Sequence, residues 1–433
     1  MYLRFLRQTT FATATLLTAW CCTTSLSSES AQESTEANFR VMLETVIQEN
    51  DEESLSIDFI WTQARAAWVP TDTPYAIMTM SQKLKTGDDV YYDLYQTLSY
   101  DSGQTWTVPQ EIPSLKLHTI DNNYRRSLSD MTPQWHPKTG RILNIGKSFF
   151  YTDDSTPDRS RREVAYAVYD PETQQWGSHQ ALDIPTQDTS ALSIIAPNAG
   201  CVQWLMQPNG EILLPIFYYK MSAEQAATTD RTAYDVGNNM NNDELSQMVA
   251  VLRCSFDGEK LTFLELGEEL QMKQGRGLGE PSLAYLNGTY FLTLRTDQSA
   301  YVTRSSDGLH YEELQEWTFD DGSVLGSYNT QQHWATHDDR LFLSYTRRGA
   351  DNDGVFRHRA PLFIAEVDPQ KLVVLRDTEQ EIVPNRGVGL GNFGVTKVDG
   401  QQIWITTTEY MRGETNVAAD NSVFVARLLA NQP

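Results

Sequence analysis

The chain of 433 residues carries 34 Lys and Arg against 57 Asp and Glu, a formal net charge of −23. So acidic a surface argues against nucleic acid and anionic membranes as partners. A hydrophobic content of 40% is ample for a large core, and 25 glycines, 20 tyrosines and 10 tryptophans favour many short strands joined by turns.

The N-terminal segment has the features of a secretory signal. Two arginines precede an apolar run at residues 11–20, which is too short to span a bilayer. We therefore predict a signal peptide over residues 1–30 and a secreted, periplasmic or cell-surface protein. A lipid anchor at Cys21 is an alternative, although bulky Trp20 precedes it. No later segment is apolar enough to be transmembrane.

The rest of the chain divides into a short leader and one long domain. Residues 31–50 are predicted as a linker with a short N-terminal segment, in which residues 39–48 form a helix. Residues 51–433 show short β-rich segments at regular spacing between turn signals, which predicts a single propeller or sandwich domain. At four strands per blade the length fits six blades, and five or seven are also compatible.

Three short stretches repeat the same turn chemistry. Residues 99–106 read Ser-Tyr-Asp-Ser-Gly-Gln-Thr-Trp, and looser copies begin at Ser305 and Ser255. In each copy an Asp can accept hydrogen bonds from turn amides, a Gly supplies positive φ, and an aromatic residue anchors the outgoing strand. A recurring turn indicates a recurring supersecondary unit, which favours a propeller over a sandwich.

Two charged residues are expected to meet at one sheet edge. Glu280 opens one predicted strand and Arg295 closes the next, and the Asn287-Gly288 hairpin folds the second strand back on the first. This arrangement places both side chains at the same end of an antiparallel pair. No Cys and His spacing typical of a metal site occurs, and we expect no cofactor and no metal. Cys201 and Cys254 either pair or remain buried thiols.

These features together resemble the sialidase superfamily. The repeated turns are similar to the Asp-box of its β-propellers, and Glu280, Arg295 and the turn at Ser305 follow the order of its catalytic Glu, second Arg and Asp-box. The resemblance implies an all-β, six-bladed β-propeller with Asp-box turns. It also implies that Glu280 acts as a base or stabilises charge.

The resemblance implies further site residues. Arg65, in a loose match to an Arg-Ile-Pro motif, and Arg359, before Pro361, join Arg295 as a carboxylate-binding triad. Glu409 braces Arg65 through an ion pair. Asp88 and Asp89 precede the first Asp-box, where sialidases carry their acid/base Asp, and Asp89 is assigned that role.

One position departs from the family. Sialidases use a Tyr nucleophile, and the corresponding stretch here places Phe393, or Asn392, where the Tyr is expected. Phenylalanine cannot act as a nucleophile. Tyr410, beside Glu409, and Tyr328 are the alternatives in this chain.

A polar stretch at residues 328–333 adds candidate sugar ligands. Tyr328, Gln332 and His333 lie within six residues and offer hydrogen bonds suited to a sugar. The arginines at 347, 348, 357 and 359, with His358, make this part of an acidic chain basic, which favours an anion site.

The leading hypothesis is an exo-acting glycoside hydrolase that removes a terminal acidic sugar, sialic or uronic, from an oligosaccharide or glycoconjugate. Two alternatives stay open. The first is another carbohydrate-active propeller enzyme, a polysaccharide lyase or an inverting hydrolase, using His136, His333 or His358 with a Tyr. The second is a non-catalytic glycan-binding propeller.

Overall fold

The β-rich segments form strands in the computed structural model, which describes residues 39–48, 59–85, 89–121, 124–152, 156–185, 192–222, 224, 246–400, 402–412, 414 and 417–430. All of these lie in the unit Ala37–Pro433. The predicted signal peptide 1–30, Cys21 and Asp88 lie outside the described residues. Within the described residues, no helix has the length and apolar character needed to span a membrane.

The strands, in chain order, are β1 (Phe39–Ile47), β2 (Phe59–Val69), β3 (Tyr75–Leu84), β4 (Tyr91–Ser99), β5 (Gln110–Glu111), β6 (His118–Asp121), β7 (Tyr124–His136), β8 (Arg141–Thr152), β9 (Pro157–Asp170), β10 (Gln175–Trp176), β11 (Gln180–Ala181), β12 (Ser193–Asn198), β13 (Leu205–Met206), β14 (Ile212–Met221), β15 (Met248–Phe256), β16 (Leu261–Leu266), β17 (Leu270–Gln271), β18 (Gly279–Leu286), β19 (Thr289–Arg295), β20 (Ala300–Ser305), β21 (Gln315–Glu316), β22 (His333–His337), β23 (Arg340–Tyr345), β24 (Leu362–Asp368), β25 (Val373–Val374), β26 (Gln380–Val383), β27 (Gly394–Val398), β28 (Gln402–Thr408) and β29 (Val423–Ala430). Short 3₁₀ helices span Pro113–Leu115, Phe356–His358 and Arg376–Thr378.

Among the described residues these strands pair into six antiparallel sheets, the blades of a propeller. Blade 1 is β2-β3-β4-β5, blade 2 is β6-β7-β8-β9-β10 with β11 on β9, and blade 3 is β12-β14-β15-β16 with β13 on β14 and β17 on β15. Blade 4 is β18-β19-β20-β21, blade 5 is β22-β23-β24-β25 with β26 on β24, and blade 6 is β27-β28-β29-β1. The predicted all-β, six-bladed propeller is confirmed.

Blade 6 joins the two ends of the described chain. Strand β1 pairs antiparallel with β29, from Phe39 opposite Ala430 to Ile47 opposite Val423. Phe39 is buried against Phe342 of blade 5, with ring centroids 4.8 Å apart. The predicted helix over residues 39–48 is therefore wrong, and the propeller includes Phe39 instead of starting at residue 51.

Buried tryptophans connect neighbouring blades. The Trp204 indole N–H of blade 3 donates to the carbonyl of Thr132 in blade 2 over 3.0 Å. The Trp334 indole of blade 5 makes the equivalent bond to the carbonyl of Ser282 in blade 4 over 2.9 Å. Each buried bond of this kind contributes about 1 kcal/mol, and each orients a large apolar ring between two sheets.

The repeated turns lie between the third and fourth strands of blades 1, 4 and 3. In the first, Asp101 accepts the amides of Gln104 and Thr105, the Gly103 amide bonds to Ser99 Oγ, and the Trp106 indole donates to the Gly103 carbonyl. The Ser305 copy repeats this set, with the Tyr311 hydroxyl on the Gly308 carbonyl. The Ser255 copy keeps the Asp257 bonds to two turn amides.

Candidate active site

Bulges in the inner strands aim side chains at one end of the propeller. The pairing register shifts between Thr62 and Arg65, between Ser129 and Thr132, and between Gly279 and Ser282. At each shift one residue takes a left-handed conformation, listed here with its φ: Gln63 (60°), Asp130 (56°) and Glu280 (47°). A bulge re-aims the side chain it carries, and Asp130 and Glu280 both line the cleft described next.

This cleft is strongly basic. Seven of the described lining side chains are Lys or Arg and three are Asp or Glu, whereas the whole chain has an excess of acid. Its volume is about 1100 Å³ including the open mouth. The charged lining residues are Asp89, Asp130, Lys147, Arg162, Arg276, Glu280, Arg295, Arg357, Arg359 and Arg412. Such a site favours an anionic ligand.

Glu280 and Arg295 meet as predicted, as an ion pair. The Arg295 Nη2 and Nε atoms lie 3.1 and 3.2 Å from the two Glu280 carboxylate oxygens. Burial would raise the pKa of Glu280, but the charges of Arg295 and Arg359 outweigh burial and hold that pKa at about 2. Glu280 is thus a carboxylate at neutral pH, and its geometry fixes the Arg295 guanidinium.

Arg276 belongs to the same wall. Its guanidinium donates to Asp297 over 2.6 Å and to Asn329 Oδ1 over 2.8 Å, and Arg295 Nη1 lies 3.4 Å from Asp297. Two arginines and two acids therefore form one network around Glu280. The charges of Arg276 and Arg295 are largely balanced within it.

Arg359 is balanced less completely. Its Nη2 donates to the Asn329 carbonyl, while its buried Nε has no hydrogen-bond partner among the described residues. Burial lowers the pKa of Arg359, and Glu280 opposes that shift. Arg359 lines the cleft and, among the described residues, has no carboxylate within ion-pair distance, so a ligand carboxylate beside its guanidinium would be stabilised.

Asp89 faces the cleft from the loop before β4. Its backbone carbonyl accepts the Tyr151 hydroxyl over 2.9 Å, and the Tyr91 hydroxyl lies 3.4 Å from its carboxylate. Burial, and then the Asp89 and Asp130 charges, raise the pKa of Tyr91 well above its usual range. Tyr91 is therefore a neutral phenol that donates to the Asp89 carboxylate.

Asp130 and Lys147 are cleft residues that sequence reasoning missed. They form an ion pair of 2.5 Å, and the Gln63 carboxamide contacts the same carboxylate. A Cβ at Gly200 would lie 2.7 Å from Lys147 Cδ and 2.9 Å from Asp130 Cβ, so only glycine leaves room for the ion pair. No local sequence motif predicts this ion pair, because Asp130 and Lys147 lie on adjacent strands and Gln63 lies in the neighbouring blade.

Arg65 does not reach the cleft. Its side chain is 1% exposed and donates to the carbonyls of Phe393 and Met131 and to Gln331 Oε1, at 3.2, 3.3 and 3.0 Å. The predicted triad of Arg65, Arg295 and Arg359 is therefore not assembled in the cleft. Arg65 is instead enclosed by residues of several blades, with its Nη2 3.3 Å from Sγ of Cys201.

The predicted ion pair between Glu409 and Arg65 is also wrong. Glu409 is buried and accepts the backbone amides of Asp420 and Ser422 at 2.9 and 3.1 Å. Its ion-pair partner is Arg386, at 3.3 Å. Glu409 thus orders the segment before β29.

Gln332 and His333 are buried outside the lining of the cleft. The Gln332 amide bonds to Ser327 Oγ over 2.9 Å, and His333 Nδ1 contacts Ser282 Oγ over 2.7 Å. Burial, and then the charge of Arg65, lower the pKa of His333 to about 3, so the ring is neutral. These contacts make them structural residues of blade 5.

Tyr328 and the other histidines are also outside the lining. The Tyr328 hydroxyl lies 2.7 Å from His358 Nδ1, and His136 is fully buried between Thr139 and the carbonyl of Gly210. None of the described lining residues is a histidine. The lyase alternative therefore has no histidine among the described residues that line this cleft.

Position 393 lies in the core, outside the described lining of the cleft. Phe393 is fully buried, with its ring edge-to-face on His333 at 5.1 Å. Tyr410 does line the cleft. The Tyr410 amide bonds to the Gly389 carbonyl over 2.9 Å, and the amide of Leu390, the residue after Gly389, bonds to the Arg359 carbonyl over 2.6 Å. The backbones of Tyr410 and Arg359 are therefore both bonded to the short segment Gly389-Leu390.

Cys201 and Cys254 are both buried free thiols, which decides between the two predicted states. Cys201 lines the cleft, and its Sγ lies 3.3 Å from Arg65 Nη2. Burial raises its pKa. Among the described residues no group of three His, Cys, Asp or Glu side chains is placed to hold a metal ion.

The fold has known counterparts among solved structures. A protein of unknown function from Dyadobacter fermentans is 14% identical, with a TM-score of 0.60 over 91% of this chain and 100% of its own. Trypanosoma rangeli sialidase, solved with sialic acid, is 13% identical, with a TM-score of 0.57 over 90% of this chain. The match spans 58% of that sialidase.

An α-L-arabinanase from Penicillium chrysogenum, solved with arabinobiose, is 14% identical, with a TM-score of 0.53 over 90% of this chain and 98% of its own. This chain has the sialidase-like β-propeller fold. The resemblance seen in the sequence is confirmed at that level. No family model and no curated protein matches the sequence.

Proposed function

We propose that this chain is a glycoside hydrolase that releases a terminal acidic sugar, sialic or uronic, from an oligosaccharide or glycoconjugate. The basic cleft of an otherwise acidic protein carries the proposal, because seven cations and three anions line it. The carboxylate of such a sugar is planar and can accept two parallel hydrogen bonds, which matches the geometry of a guanidinium group.

The carboxylate lies against Arg359 and Arg295 in this proposal. Arg359 lines the cleft and has no carboxylate within ion-pair distance among the described residues. Arg295 is held in place by Glu280 and Asp297. Glu280 acts through Arg295, since a carboxylate with a pKa of about 2 is a poor proton acceptor near neutrality.

Asp89 serves as the acid/base residue. It protonates the glycosidic oxygen as the bond to the anomeric carbon breaks, and then takes a proton from the water that completes hydrolysis. Tyr410 is the proposed nucleophile. Its phenolic oxygen bonds to the anomeric carbon as it loses its proton to solvent. Water later displaces the phenolate, which regains a proton from solvent.

The proposal is tested by sugar release from sialosides and uronide oligosaccharides. Wild type releases the terminal acidic sugar, Asp89→Asn lowers kcat at least 100-fold, and Arg359→Ala raises KM. Arg376→Ala is the control, because this arginine pairs with Asp321 at an exposed turn. Full activity of both Asp89→Asn and Arg359→Ala would refute the assignment.

A non-catalytic, glycan-binding propeller is the second candidate. The buried Phe393 at the nucleophile position favours it. Tight binding of acidic oligosaccharides by wild type, with no sugar released in any of them, would establish this alternative. Proton NMR of the first product separates retention through Tyr410 from direct attack by water.

A further inference from the structure

The mouth of the cleft carries a second cationic feature. The Phe356 side chain is 41% exposed, and the guanidinium groups of Arg357 and Arg412 lie 4.7 and 4.3 Å from its ring centroid. All three residues line the cleft. An aromatic face stabilises cations placed on it, so this ring holds two positive charges close together at the entrance.

The segment that presents Arg357 is conformationally strained. Arg357 and His358 both have left-handed backbones, with φ of 54° and 51°. Such conformations are unfavourable for residues with a side chain and persist where surrounding contacts impose them. The Asn352 carboxamide contacts this segment, since it donates to the carbonyls of Arg347, His358 and Ala360 over 2.8, 3.3 and 2.6 Å.

Arg357 also lacks a balancing acid. Whereas Arg276 and Arg295 are paired with carboxylates, Arg357 has no hydrogen-bond or ion-pair partner among the described residues. Burial, and then the charge of Arg359, lower the pKa of Arg357 to about 10. An anion bound beside Arg357 would relieve this repulsion.

We propose that Arg357 and Arg412 bind a second anionic group, carried by the sugar next to the terminal one, while Phe356 packs on that sugar. The substrate class is an oligosaccharide in which a carboxylate or sulfate ester follows the terminal acidic sugar. The inference rests on the proposed function, since the terminal sugar in the cleft places its neighbour at the mouth. One carboxylate lies against Arg359, and the second anion offsets the repulsion between Arg357 and Arg359.

Binding of thio-linked disaccharides, which resist hydrolysis, tests this proposal. Each of the two sugars is either acidic or the matching neutral hexose, and a fifth ligand carries a sulfate ester on the second sugar. Calorimetry on wild type should show that an acidic second sugar improves Kd about tenfold, the effect of one charge-assisted contact. Carboxylate and sulfate arms then separate the two sources of the anion.

Three variants make the result specific. Arg357→Gln should remove the gain from the second acid and keep the gain from the terminal acid, and Arg357→Lys should retain much of both. Arg376→Gln, whose guanidinium lies 3.7 Å from the Phe319 ring, should keep both gains.

Two results would overturn the inference. One is a second acid that adds nothing in wild type. The other is an Arg357→Gln variant, with unchanged melting temperature, that loses both gains equally, which would place Arg357 in the terminal-acid site. A terminal acid that adds nothing would instead refute the proposed function.

Discussion

Glu280→Gln isolates the energetic role of the ion pair at the centre of the cleft wall. The pKa of Glu280 is lowered from 4.5 to about 2, and a shift of that size corresponds to about 3.4 kcal/mol at pH 7. Because the folded-state pKa is depressed, the stabilisation is complete above pH 4.5 and is lost as pH falls toward 2. At pH 3 about 1.4 kcal/mol should remain.

Urea unfolding of wild type and Glu280→Gln between pH 7 and pH 3 measures this difference directly. We expect a loss of about 3 kcal/mol at pH 7 that shrinks as the pH falls. Glu366→Gln, which breaks an exposed pair with Arg340, is the control and should cost under about 1 kcal/mol at every pH. A loss that stays constant from pH 7 to pH 3, or no loss at all, would refute the reasoning.

The other predictions concern the cleft and its supports. Gly391→Ala should weaken binding of acidic sugars at least tenfold, because a Cβ there would lie 2.5 Å from Thr330 Oγ1 and 2.8 Å from Arg359 Cδ and would displace the arginine. Gly354→Ala, with no atom within 4 Å of the new methyl, should bind normally. Equal affinities of the two variants in calorimetry would contradict this. Asn352→Ala should lower the free energy of unfolding by about 1–3 kcal/mol in urea, since the carbonyl groups of Arg347 and Ala360 lose the hydrogen bonds that the Asn352 amide donates. Unchanged stability would show that these two hydrogen bonds are dispensable. Cys201 should resist alkylation by iodoacetamide at pH 8 until the protein unfolds, because burial raises its pKa. Mass spectrometry measures the alkylation, and rapid modification of the folded protein with loss of ligand binding would contradict this prediction.

The sequence carried enough information for the propeller and for part of the cleft. The hairpin between β18 and β19 was local, so the meeting of Glu280 with Arg295 followed from turn chemistry alone. Asp89 was located by its position before the first repeated turn, and Arg359 by the resemblance to the sialidase superfamily. These signals depend on neighbours along the chain, which a single sequence displays directly.

The misplaced residues depend on contacts that local patterns do not encode. A one-residue bulge after Thr62 changes the facing of Arg65, since strand side chains alternate with a period of two. Asp130 is recognised only through Lys147, on the next strand, and Gln63, in another blade. Strand β1 was predicted as a helix because its partner, β29, lies at the other end of the described chain.

The pairing of β1 with β29 sets the order in which the molecule can be completed. Contacts between segments so distant along the chain form late, because their loop-closure entropy must be overcome first. Asn392, Tyr410 and Arg412 of the cleft lie in the segments flanking β27 and β28 of that same blade. The ligand-binding cleft should therefore be completed late in folding, when β1 pairs with β29 and closes the propeller.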